Sequence, residues 1–168
     1  MAAAPRETVL ERVRRRAQEE QAAKHLDVPV PGYGGDLVVR LAPIGWDTTA
    51  EIGERNHALA AASAKAGRTV SRAQWNTLAD LVIRGVSDVM LNVDGHLVPL
   101  REEGSTGLTR ELGEALGWPT VPDTARQILL TLFARANSPE LHVTSVAVRY
   151  QEWLEDADQV VVEAVLGE

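Results

Sequence analysis

Apolar residues recur at helical spacing in three stretches of this chain. Trp75, Leu78, Leu81, Val82, Val86 and Val89 form the first stripe, and Ser71 with Gln74 supplies an S-x-x-Q capping box ahead of it. Ile128, Leu129, Leu132 and Phe133 form the second, opened by Asp123 or Thr124 and closed by Asn137 as a C-cap. The third holds Val143, Val146, Ala147, Tyr150, Trp153 and Leu154, with Ser138, Pro139 and Glu140 as N-cap, first and second helical residues. These stripes predict core helices near residues 71–90, 124–136 and 139–155. Strand-like patterns occupy two other places. Leu26 to Val30 is extended, because Pro29 and Pro31 remove backbone donors and push the residue before each away from helical torsions. Gly32, Gly34 and Gly35 let the chain reverse, and Leu37, Val38, Val39 and Leu41 resume as a strand interrupted by Arg40. The prolines suit an edge strand and an exposed hairpin. A second hairpin joins Leu91–Val93 to His96–Leu100 through Asp94-Gly95, a favoured two-residue turn.

Between these lie less regular pieces. Residues 1–24 read as a charged helical arm, with Pro5 in its first turn and an apolar stripe of only Val9, Leu10 and Val13. Its arginines Arg12, Arg14, Arg15 and Arg16 are interleaved with Glu7, Glu11, Glu19 and Glu20 at helical spacings, which describes a solvated, salt-bridged face or a docking arm for an acidic partner. Asp47 is the expected N-cap of a helix to Ala66, with Trp46 as a hydrophobic staple and Gly67 beyond its end. Thr109 can cap a short helix that stops at Gly117, before a Trp118-Pro119 linker. After Glu152, Glu155, Asp156 and Asp158 the chain ends in VVVEAVLGE, a docked tail or a partner-binding segment. The expected organisation is an arm over 1–24, one compact domain over 25–156 and a tail over 157–168. Its class is α+β, mainly α-helical, a helical core with one or two short β-hairpins.

Composition narrows the chemistry. With 45% apolar and 24% charged residues over 168 positions, one globular domain with a working core is expected. A formal charge of -7 argues against a general nucleic-acid binder. No apolar run approaches the roughly 20 residues that cross a bilayer, and the N-terminus lacks a signal-peptide apolar core, which indicates a cytosolic protein. There is no cysteine, hence no disulfide, thiolate ligand or cysteine nucleophile. His25, His57, His96 and His142 fall in four separate elements without a helical metal pair, and Asp80, Asp88 and Asp94 do not match a calcium loop. The serines show neither GxSxG nor SxxK, and GYGG lacks the spacing of a phosphate loop. No cofactor, metal or enzymatic activity is expected.

Interaction residues are the remaining candidates. The hairpin contributes Val28, Val30, Tyr33, Val38 and Arg40, an edge to which another chain could add a strand. The C-terminal segment contributes Trp153, Leu154, Val162 and Leu166, apolar side chains beside acidic ones. Of four tryptophans, Trp46, Trp75 and Trp153 lie on or beside apolar stripes, whereas Trp118 in its Gly-Trp-Pro turn is the one expected to be exposed, as an anchor or a hinge.

The order of pieces carries a resemblance. VPVPGYGGDLVVR at 28–40, TARQILLTLF at 124–133 and VRYQEWLEDAD at 148–158 stand in a series that resembles the tail assembly chaperones, and similar tail-gene-cluster proteins, of long-tailed phages infecting actinobacteria. The likeness covers residues 24–158 as a pattern. It implies a non-enzymatic protein of the bacterial host cytoplasm that binds the long, aggregation-prone tape measure protein, or another tail protein, until tube subunits polymerise around it. A homo-oligomer is compatible with such a role. The alternative within the same gene neighbourhood is a virion structural protein, a connector or minor tail component.

Overall fold

The computed structural model describes residues 8–67, 71–101 and 107–166; the side chains of 17–23, of Trp46 and of 157–166 are not described. Six helices and a four-stranded antiparallel sheet make up the described residues, so the mainly helical α+β class holds. In chain order they are α1 (Val9–Ala23), β1 (Leu26–Pro29), β2 (Leu37–Leu41), α2 (Trp46–Lys65), α3 (Arg72–Gly85), β3 (Val86–Val93), β4 (His96–Pro99), α4 (Arg110–Ala115), α5 (Ala125–Leu132) and α6 (Pro139–Leu166).

The two expected hairpins form, and they are not separate. β2 also pairs with β3, giving the order β1-β2-β3-β4 across a connection that contains α2 and α3. One face of this sheet carries Val28, Val30, Leu37, Val39, Leu41 and Val89 into a single core with α3, α5 and α6. The hairpin is therefore not an exposed appendage. Its alternation of side chains places a buried residue at every second position, and the helices cover that face. Val38 and Met90 are paired in register on the other face and are buried as well.

The first core helix is shorter than its stripe. α3 ends at Gly85, and Val86 and Val89 belong to β3. The register slips between Arg40 and Leu41, so that Leu41 faces Val86 and Arg40 faces Asp88. The extra residue, Ser87, donates its hydroxyl to the Arg40 carbonyl at 3.2 Å. A bulge of this kind puts residues three apart on one face, which imitates helical spacing in the sequence. α5 also stops early, at Leu132 with Phe133 as C-cap, and Asn137 is not its cap. Residues 134–138 are used to reverse the chain, since Pro139 disfavours a helical Ser138. α6 runs on to Leu166, past the expected end near 155, because no glycine or proline interrupts it before Gly167. α2 is capped by Gly45 and holds Asp47 in its first turn, where a carboxylate complements the helix dipole. Pro5 lies outside the described residues.

The N-caps of α3 and α5 form, but the reciprocal half of the Ser71–Gln74 capping box does not, since Gln74 Oε1 is buried without a hydrogen-bond partner. Ser71 accepts from the Gln74 N–H at 3.1 Å and Thr124 from the Gln127 N–H at 3.3 Å. Asp94 and Gly95 take φ of 53° and 83°, the left-handed pair that a tight hairpin turn requires.

Sheet and helices meet at Tyr150. Its ring lies against the Gly85 backbone, its hydroxyl donates to the Ala42 carbonyl, and the Ala42 N–H donates to the Gly85 carbonyl at 2.8 Å. Burial pushes the phenol up to about 12. A free tyrosine ionises near 10, so between those values the unfolded chain has lost the proton while the folded one retains it. Stability should thus fall as pH rises from 10 towards 12, by at most about 1.4 kcal/mol per pH unit for one group. Urea titrations at stepped alkaline pH read this slope, and Tyr150→Phe should flatten it. An equal slope in that variant assigns the alkaline loss to other groups.

Candidate partner surface

Most of the hairpin candidates are committed inside the fold. Val28, Val30 and Val38 are buried, and none offers a side chain to a partner. Arg40 stands opposite Asp27 on the neighbouring strand and grips it with two bonds, Nε to Oδ1 at 2.9 Å and Nη2 to Oδ2 at 3.0 Å. That hydrogen bonding, with Asp88 opposite on β3, holds the Arg40 guanidinium more firmly protonated than usual. His25 adds a contact of 3.3 Å from Nε2 to the same carboxylate.

Tyr33 at the hairpin tip is half-buried. The Arg135 guanidinium sits 4.7 Å from the centre of its ring, and Arg135 Nη1 donates to the Gly32 carbonyl at 2.8 Å. Gly32 has φ of 84°, and a Cβ there would meet Arg135 side-chain carbons at 2.4 Å and 2.6 Å. The GYGG segment is thus a turn pressed onto the α5–α6 connection.

The tryptophans divide differently from the expectation. Trp118 is half-buried rather than exposed, packing on the core and over Gly113, because its N–H closes the α4 end by donating to the Gly113 carbonyl at 2.9 Å. Trp153 is half-buried and stacks on Tyr150, with ring centres 6.0 Å apart and planes 18° apart. Leu154 beside it is buried. The side chains of Val162 and Leu166 lie outside those described, although the backbone there is helical.

One opening escaped the sequence reading. A groove of about 400 Å³ runs between the N-terminal turns of α3 and α6 and the middle of α5, lined by Trp75, Leu130, Leu141 and Thr144 together with Ser71, Arg72 and Glu140. The Glu140 carbonyl accepts from Trp75 Nε1 at 3.1 Å and from Thr144 Oγ1 at 2.9 Å, so these donors are already used. The lining is left mainly apolar. Leu141 follows Glu140 outside the buried stripe of α6 and is 63% exposed. An off-stripe leucine was the available signal, but it becomes a groove wall only beside Trp75 and Leu130.

On the other side of α3, Asp80 accepts from Arg126 of α5 through Nε and Nη2, at 2.8 to 3.0 Å. Among the described residues no group of histidine, aspartate or glutamate side chains could hold a metal ion, and no helix is long and apolar enough to cross a membrane. The buried Ser63 hydroxyl and His142 Nε2 lack hydrogen-bond partners.

The chain matches no family model, no curated protein and no solved structure.

Proposed function

We propose that this chain is a tail assembly chaperone of a long-tailed actinobacterial phage, acting in the host cytoplasm. It binds the tape measure protein and keeps it soluble while the tail tube assembles. The observation that carries this reading is the ordered series VPVPGYGGDLVVR, TARQILLTLF and VRYQEWLEDAD, together with the acidic balance of the chain. With the hairpin valines buried, the contact falls to the half-exposed Trp153 and Trp118 and to the C-terminal part of α6. Large aromatic side chains suit such contacts because they bury much area for little lost conformational freedom.

Co-expression with a tape measure protein from the same tail gene cluster tests the proposal. The partner should move into the soluble fraction and co-purify with the chain. Deleting residues 157–168 should abolish this with little change in melting temperature. Charging the hairpin at Val38 is uninformative, since a buried carboxylate would unfold the domain. A partner that stays insoluble beside the intact chain refutes the chaperone role. Finding the chain at fixed stoichiometry in purified virions would make it a structural component instead.

A further inference from the structure

Among the described residues, two apolar surfaces lack a covering element. The first is the arm helix α1, on which Val9, Leu10 and Val13 are 74%, 59% and 58% exposed. Val9 and Val13 stand one turn apart with Leu10 beside them, flanked by Arg12 and Arg16 on one side and by Arg14 on the other. The second is the groove of Trp75, Leu130 and Leu141.

We infer that α1 of one copy docks in the Trp75–Leu130–Leu141 groove of a second copy, so that the protein associates with itself through its arms. Three physical arguments converge on a second copy. A 15-residue helix is marginal in water on its own, and with Val9, Leu10 and Val13 exposed α1 needs a surface on which to lay that apolar face. Its Thr8–Glu11 capping box is formed, with the Thr8 N–H donating to Glu11 at 2.7 Å, yet a cap contributes only about 1 kcal/mol.

Charge favours the pairing as well. Residues 1–24 hold six cationic and four anionic side chains, hence +2, which leaves -9 on the remainder of a chain whose formal charge is -7. The arm is drawn to the body of another copy by this difference in net charge, while the groove itself is lined by one residue of each sign, Glu140 and Arg72.

Connection opposes the intramolecular alternative. Only Lys24 and His25 separate α1 from β1, and β1 is fixed by its pairing with β2, which leaves little chain for folding back. Reciprocal exchange of arms would close the assembly as a two-fold dimer, the commonest symmetric solution.

The cysteine-free chain allows a direct test. Sedimentation of the full protein should show a concentration-dependent rise from 18.2 kDa towards twice that mass, weakened by added salt. Leu141→Glu, at an exposed position, should stay monomeric with an unchanged melting temperature. The double variant Val13→Cys/Leu141→Cys, treated with a short bifunctional maleimide, should give covalent dimers on a denaturing gel. A parent protein monomeric at all concentrations overturns the inference, as does an association that Leu141→Glu leaves intact. So do cross-linked monomers, which would place α1 in its own groove, and so does the lack of any cross-link.

Discussion

Replacing Gly85 by alanine should lower the stability of this protein by about 3 kcal/mol, the upper part of the usual range for overpacking a core. The sign is opposite to the ordinary one, since alanine exceeds glycine by roughly 1 kcal/mol inside a helix. At Gly85 a Cβ would fall 2.5 Å from Cε1 and Cζ of Tyr150 and 2.6 Å from its hydroxyl oxygen. The ring cannot yield easily. It is wholly buried, tied to the Ala42 carbonyl through its hydroxyl and stacked on Trp153. Moving the Gly85 backbone instead would break the 2.8 Å bond from the Ala42 N–H and disturb the start of β3.

Gly53 of α2 is the control. The nearest atom to its Cβ position is Gln151 Nε2 at 3.9 Å, so Gly53→Ala should gain about 0.5–1 kcal/mol. Urea midpoints of the two variants should move in opposite directions. Adding Tyr150→Leu should make Gly85→Ala less harmful than it is alone, a coupling that a double-mutant cycle reads. Equal gains at both glycines would show that the Tyr150 ring is not packed on α3 as described.

Leu132→Ala should cost about 2–5 kcal/mol, the range for emptying a fully buried leucine site. Leu132 has no exposed surface and shares its side of α5 with Ile128, Leu129 and the cap residue Phe133. An eight-residue helix has little stability of its own and depends on these anchors. Leu141→Ala, on the solvent side of α6, should stay within about 0.5 kcal/mol of the parent. Denaturant melts of both variants suffice, and a loss below about 1 kcal/mol for Leu132→Ala would detach α5 from the core.

The candidate surface was less legible than the fold. Val28 and Val30 read as the apolar side chains of an edge strand, and β1 is indeed at the sheet edge. Whether such residues face solvent or core depends on what lies over the sheet, and that is set by α3, α5 and α6, far along the chain. Arg40 looks like an exposed interruption of a strand, but its place opposite Asp27 turns it into a cross-strand ion pair. The Trp75 groove draws its walls from three helices, so no single window of sequence contains it.

What the sequence determined by itself are the features whose partners lie within a few residues. Ser71 caps Gln74, Thr124 caps Gln127, Pro139 opens α6, and Asp94-Gly95 makes its turn because each interaction closes over four residues or fewer. The apolar stripes of α5 and α6 belong to the same class, since helical periodicity is a local property. Only the tertiary structure decided where α3 ends, that two hairpins share one sheet, and which faces are covered. Val86 and Val89 satisfy a helix and a bulged strand equally well at the level of spacing. The choice is made by β2, which offers them a ladder, and by Tyr150, whose ring occupies the space beside Gly85 that a side chain would need. Both lie tens of residues away, and a contact closed over that distance leaves no periodic trace in the segment it governs.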